Sequence, residues 1–246
     1  MRTFIHPTYD DLSRAVADFV TDYIQQNPTA LLCFPSGETP TGLLQYLVQY
    51  ARAGKVDFSR CRFVGLDEWV GLGPHDEGSC EHYMNTHFFS PANIKPEQIQ
   101  FFDTLAPDLA AECRRINEYI STNGPIDLML VGVGLNGHLG LNEPGVAFDL
   151  YAHLQTLDET TKTMGQKYFK EPTALQEGIT LGLQHLMEAK IAVLMAAGTK
   201  KAAIVAQALQ GEVTNKLPAS ILQNHPNTYI FLDHEAANAL KTSADA

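Results

Sequence analysis

The segment Asp127-Leu128-Met129-Leu130-Val131-Gly132-Val133-Gly134-Leu135-Asn136-Gly137-His138-Leu139-Gly140-Leu141-Asn142-Glu143-Pro144-Gly145 constrains the fold of this chain more than any other. An apolar run long enough for one fully buried strand breaks into glycines, then delivers Asn136, His138, Asn142 and Glu143 in quick succession. Buried strand, glycine turn, polar cluster is the order of parts at the mouth of a parallel sheet, where open α/β proteins place their ligands. A histidine and a carboxylate at that mouth suit proton transfer, because an imidazole exchanges its proton near neutrality.

The same stretch contains Gly132-x-Gly134-x-x-Gly137, the spacing of a dinucleotide-binding turn, with Asp158 some way downstream. That reading fails its context. A helix must begin at the third glycine, and Gly140, Pro144 and Gly145 prevent a sustained one.

Other buried-strand runs recur along the chain, each followed by a helical pattern. Ala30–Phe34 leads to Pro35-Ser36-Gly37-Glu38-Thr39-Pro40 and a helix through Leu43, Leu44, Leu47 and Val48, for which Thr39 is a good N-cap and Pro40 a good first residue. Arg62–Leu66 runs into Asp67-Glu68-Trp69, then a polar loop from Gly71 to Gly78 and a helix near Cys80 to Phe88. A helix spans about Asp108 to Ile120. Lys190–Ala197 and Thr228–Leu232 read as strands, with a helix from Thr199 to Leu209 and an alanine-rich terminal helix. Near the start, Asp10 or Asp11 can cap a helix with Leu12, Val16, Phe19, Val20 and Tyr23 on one face. Strands alternating with helices imply an α/β fold, a Rossmann-like three-layer sandwich on a mostly parallel sheet. The less regular residues 149–176, rich in Thr, Lys and Gln, are a candidate lid. At 246 residues the chain is expected to be a single domain.

A net charge of -11 argues against nucleic acid as the partner, which needs a basic face. No stretch approaches the ~20 apolar residues of a membrane helix. Cys33, Cys61, Cys80 and Cys113 show no paired spacing, and two or three of them read as core residues. With no signal peptide in view, a cytoplasmic protein is expected. His82 and His87 lack the spacing of a helical zinc pair, so no metal site is expected, and the remaining histidines read as surface or loop residues.

Four groups can carry chemistry. Ser36, Gly37 and Thr39 suit a phosphate cradle at a helix N-terminus, although the same residues suit a plain capped turn. Glu38 weakens the anion reading, since its carboxylate must point away. Asp67 and Glu68, after a buried strand, cannot share one direction: one faces a ligand and the other supports the loop, unless both are simply solvated. His138 is the acid/base group, with Glu143 to orient it. Lys200 and Lys201, after Gly198-Thr199, oppose the helix dipole; a bound anion would explain them, and the plain alternative is two solvated lysines, of which Lys200 is the candidate. Lys167 is a further cation for the same site.

Taken together, Pro35–Pro40, Leu66-Asp67-Glu68-Trp69-Val70 and Gly134–Gly145 resemble the glucosamine-6-phosphate deaminase (isomerase) family, relatives of 6-phosphogluconolactonase, over nearly the whole chain. Asn142-Glu143-Pro144-Gly145 is the specific element, because the lactonases look different after the Gly-His pair. Gly178-Ile179-Thr180-Leu181-Gly182-Leu183 and Pro218-Ala219-Ser220 look more like a galactosamine-6-phosphate branch.

The resemblance implies conversion of a 2-amino-2-deoxyhexose 6-phosphate to a ketohexose 6-phosphate and ammonia, with no cofactor. It casts Asp67 as the base moving the C2 proton to C1, and His138 as the ring-opening group supported by Glu143 and Asn136. Ser36, Gly37, Thr39, Lys201 and Lys167 would hold the phosphate. It leaves a homo-oligomer open. Three positions depart from the pattern: Asn136 where many relatives have Asp, Lys167 where many have Arg, and Glu38 in place of a small residue. A sugar-phosphate lactonase and a non-catalytic sugar-phosphate sensor are the competing readings.

Overall fold

The computed structural model describes residues 1–241. In chain order the elements are β1 (Arg2–His6), α1 (Tyr9–Gln26), β2 (Leu31–Cys33), α2 (Thr41–Arg52), β3 (Arg62–Val64), β4 (Asp67–Trp69), α3 (Cys80–Met84), β5 (Ile99–Gln100), α4 (Leu109–Asn123), β6 (Leu128–Val131), β7 (His153–Thr156), α5 (Glu159–Gly165), β8 (Glu177–Thr180), α6 (Leu183–Glu188), β9 (Ile191–Ala196), α7 (Ala202–Gln210), β10 (Thr228–Asp233) and α8 (His234–Ala237). Among the described residues, no helix is long and apolar enough to cross a membrane.

A seven-stranded sheet has the order β1-β10-β9-β6-β2-β3-β5. Every pairing within it is parallel. Because successive side chains alternate faces, the central strands feed two cores. Leu32, Leu128, Leu130, Val193 and Met195 pack beneath α1 and α2 with Leu12, Val16, Leu44 and Leu47. Leu31, Met129, Val131, Ala192 and Leu194 face the opposite layer, with Ile116 and Ile120 of α4, Leu186 of α6 and Val205 of α7. These are the three layers expected from the alternating pattern.

From β2 the chain winds outward through β3 to β5, then returns to the other side of β2 for β6, β9 and β10. The winding direction therefore reverses between β2 and β6. Loops leaving the carboxyl ends of adjacent strands diverge there and open a crevice. The apolar segment that ends in the glycine turn is β6, at the centre of this reversal.

Local corrections have physical causes. Thr8, not Asp10 or Asp11, caps α1: its hydroxyl accepts from the Asp11 N–H, leaving both acids in the first turn where the dipole favours them. Thr39 does not cap α2; the turn continues through Pro40, and the Tyr9 hydroxyl accepts the Gly42 N–H instead. The helix at Cys80 runs regularly only to Met84 and continues as a π-helical turn, Asn85–Phe89. The alanine-rich terminal helix is one turn within the described residues. Two histidines are buried rather than superficial: His185 bonds Asn117 Oδ1 at 2.9 Å and His225 bonds the Ala189 carbonyl at 2.9 Å. All four cysteines are buried and free.

A second, three-stranded antiparallel sheet of order β4-β8-β7 was not expected. It takes Asp67-Glu68-Trp69 out of the loop class and absorbs part of residues 149–176. The remainder of that segment, α5 and a 3-10 turn at Gln166–Tyr168, forms a wall over the crevice.

Candidate active site

The turn after β2 is built by tyrosines distant in sequence. Tyr83 donates to the Gly37 carbonyl at 2.7 Å, and its oxygen lies 2.6 Å from the Thr41 hydroxyl. Tyr9 donates to the Thr39 carbonyl at 3.0 Å. Carbonyl oxygens that would repel an anion are thereby occupied. Gly37 adopts φ +109°, and a Cβ there would stand 3.0 Å from the Tyr168 hydroxyl, so glycine is required on both counts. Ser36, Gly37, Glu38 and Thr39 all line the crevice.

β4 separates its two acids by strand alternation. Glu68 turns away from the crevice and accepts backbone N–H groups from Trp69 (2.9 Å), Cys80 (2.8 Å) and Glu81 (2.8 Å), anchoring the start of α3. Asp67 faces the crevice. Burial pushes its carboxyl up to about 6, partly offset by His138 and by a bond from the Cys80 thiol. It is thus ionised at neutral pH yet more basic than an exposed carboxylate.

The loop after β6 is held by short bonds. Gly134 N–H donates to the His138 carbonyl at 2.9 Å, and the Asn142 side chain donates to the carbonyls of Leu139 (2.8 Å) and Leu181 (2.9 Å). The imidazole lies over Gly134, where any Cβ would come within 2.4 Å of the ring. No helix starts at Gly137, which removes the dinucleotide reading, and Asp158 is the N-cap of α5.

Glu143, only 3% exposed, lies behind the histidine with Oε2 3.5 Å from His138 Nδ1. Burial opposes its charge, but the adjacent His138, together with Thr161 and the Asn136 amide, prevails and holds its carboxyl below the usual range. Asn136 supports His138 through that residue's backbone and through Glu143, not by a bond to the imidazole. Its oxygen accepts the backbone N–H of His138 at 3.3 Å, and its amide donates to Glu143 Oε2 at 2.9 Å. An aspartate in that place would set two carboxylates against each other. The asparagine lets Glu143 remain charged.

Lys201 ends a 3-10 turn, Thr199–Lys201, after β9, and donates to the Val133 carbonyl at 2.6 Å. Burial lowers its ammonium to about 8, aided by Lys167 and opposed by Glu38. Lys200 is exposed and lies outside the crevice lining. Lys167 reaches across the mouth to Glu38, Nζ to Oε2 2.6 Å. Glu38 therefore does not point away from the site; it shares the crevice rim with Lys167. With side chains 36% and 73% exposed, this pair contributes on the order of 0–1 kcal/mol.

The structure thus brings Ser36, Gly37, Thr39, Asp67, His138, Lys167 and Lys201 to one cavity, with Glu143 and Asn136 directly behind His138. Sequence reasoning missed Tyr9, Tyr83, Cys80, Tyr168 and Thr161. Cys80 and Tyr83 come from α3 and the others from separate elements, and no local spacing could have signalled them.

A family model described as glucosamine-6-phosphate isomerases/6-phosphogluconolactonase matches residues 7–230. The chain is 36% identical to a glucosamine-6-phosphate deaminase of Thermoanaerobacter pseudethanolicus, covering 98% of this chain and 95% of that protein. It is 37% identical to one of Lachnoclostridium phytofermentans, covering 94% and 98% respectively. Among solved structures, a monomeric glucosamine-6-phosphate deaminase superposes with a TM-score of 0.94 at 34% identity, over 97% of this chain and all (100%) of that one. A 6-phosphogluconolactonase from Trypanosoma brucei shares the fold, with a TM-score of 0.74 at 19% identity and 98% of each chain covered.

Proposed function

The chain belongs to the glucosamine-6-phosphate isomerase/6-phosphogluconolactonase family, and on that footing we propose that it is an amino-sugar-phosphate deaminase acting in the cytoplasm. Its substrate is a 2-amino-2-deoxyhexose 6-phosphate, and its products are a ketohexose 6-phosphate and ammonia. The observation that carries this reading is one crevice holding a buried carboxylate base, a histidine backed by a carboxylate, and a glycine turn flanked by lysines.

The phosphate lies against Ser36, Gly37 and Thr39, with Lys201 and Lys167 supplying positive charge. His138 moves the proton that opens the pyranose ring, giving the aldehyde. Asp67, ionised at neutral pH, takes the C2 proton; the electron pair forms the C1–C2 enol-amine, and the same carboxyl returns the proton to C1. The resulting imine at C2 adds water and expels ammonia, so that one water is consumed for each ammonia released. Glu143 stabilises the charge His138 carries in transit.

Glucosamine 6-phosphate is the substrate named for the relatives, whereas Gly178–Leu183 and Pro218–Ser220 resemble the galactosamine branch. The test is a side-by-side assay of both epimers, reading ammonia and ketohexose 6-phosphate. Stoichiometric release of the two products from at least one epimer is expected. Absence of ammonia from both would refute the proposal, and lactone hydrolysis in its place would assign the chain to the other chemistry of its family.

A further inference from the structure

The side chain nearest to His138 Nδ1 among its hydrogen-bonding neighbours belongs to neither Glu143 nor Asn136. Thr161 Oγ1, in the first turn of α5, lies 3.0 Å away, against 3.5 Å for Glu143 Oε2. An N–H···O bond is ordinarily 2.7–3.2 Å long, so the direct bond goes to the threonine. Thr161 is 4% exposed and stands beside the Glu143 carboxylate as well, helping to hold its charge.

Donor and acceptor capacities then fix the direction of this chain of bonds. Ionised Glu143 only accepts, and it already takes the Asn136 amide at 2.9 Å and the Asp158 backbone N–H at 3.2 Å. A lone pair on Nδ1 would face that negative oxygen at 3.5 Å, so the proton belongs on Nδ1. Thr161 Oγ1, 3.0 Å away, then accepts this N–H with a lone pair, and its own O–H is free to turn toward the carboxylate. Nε2 is then the nitrogen with the free electron pair.

We propose that Thr161 is a positioning residue which relays the hold of Glu143 to His138 and locks the Nδ1–H tautomer, so that Nε2 exchanges protons with the sugar ring. The role in ring opening rests on the deaminase reading above; the bonding itself does not. Asn136, being neutral, leaves the histidine dependent on this link. The same segment carries Lys167 to the rim of the phosphate turn. Seating of α5 therefore completes the acid/base group and the anion clamp together.

The test compares the wild type with Thr161→Val, which keeps the shape and removes the hydroxyl, and with Thr161→Ser, which restores the hydroxyl. Long-range ¹⁵N–¹H spectra of the histidine side chains at about pH 8, where neutral imidazole tautomers are visible, are recorded on the substrate-free proteins. His138 is expected as Nδ1–H in the wild type and in Thr161→Ser, and shifted toward Nε2–H in Thr161→Val. In turnover, Thr161→Val should lose about 10- to 100-fold in kcat, part of what general acid–base catalysis supplies, with KM within about twofold. Thr161→Ser should recover most of the loss.

An unchanged tautomer in Thr161→Val overturns the proposal, as does a Thr161→Ser variant as impaired as Thr161→Val. A wild type inactive on both amino-sugar phosphates would remove the deaminase reading, while the spectra would still decide the wiring.

Discussion

Replacing Asp67 by asparagine should stabilise the protein while abolishing most of its turnover. Burial raises the Asp67 carboxyl from 3.8 to about 6. At 1.36 kcal/mol per unit, the folded state tolerates a destabilising charge of about 2–3 kcal/mol at neutral pH. Between those two values the folded protein keeps a proton that the unfolded chain has lost, so native stability falls as pH rises through the window. Asparagine does not titrate there. The gain from Asp67→Asn should therefore be near zero at about pH 4 and approach about 2–3 kcal/mol at about pH 7.5. Removing the like charge beside Glu68 acts in the same direction.

Urea denaturation of both proteins across that range, with equal slopes, gives the difference directly. In parallel, kcat should fall by about 10²–10⁴-fold, the contribution of a positioned base, while substrate binding persists. A variant no more stable than the wild type at neutral pH, or a gain that fails to shrink on acidification, would refute the view that burial is what raises this carboxyl. Near-normal kcat would remove Asp67 as the base.

Further outcomes follow from the anion clamp and the histidine support. Lys201, lowered to about 8, is charged below that value and neutral above it, so KM in initial-rate assays should rise above about pH 8 with kcat little changed. Glu38→Gln releases Lys167 from its carboxylate partner and removes a negative charge from the crevice rim; KM for the sugar phosphate should drop about two- to fivefold at low ionic strength, less in high salt. Asn136→Asp places a second carboxylate where an amide now donates to Glu143 at 2.9 Å. A proton will be shared between them, and the acid limb of the kcat/KM profile should move to higher pH.

What the sequence made legible was what depends on contiguous pattern. β2, β6, β9 and β10 are buried on both faces and read as apolar runs, and the amphipathic α1, α2 and α4 read equally well. β1 was invisible because it is an exposed edge strand, its Phe4 and Ile5 41% and 48% exposed. β7 and β8 were invisible because their partners are each other and β4, a pairing that no local period encodes. The site divides in the same way. Asp67 follows the apolar run Arg62–Leu66 and His138 the glycine turn after β6, so both could be found by position. Thr161 lies 23 residues from His138 and meets it only because β7 turns the chain into α5 over the crevice. Asn136 was found as a support for His138, but its bonds to the His138 backbone and to Glu143 were not, since which atom of an amide faces which neighbour is decided by the folded loop.

The pairing of β4 with β8 sets Asp67 opposite Thr180 and Glu68 opposite Ile179. Two acids stand side by side on a ribbon that exposes alternate residues to the crevice, so a one-residue slip would exchange them. The longer acid would then enter the sugar site, and the start of α3 would lose its anchor. A chain inserting or deleting a single residue between β3 and β4 would keep every acid and every base and still present the wrong one. The length of that two-residue connection, Gly65-Leu66, thus decides which of the two acids reaches the crevice.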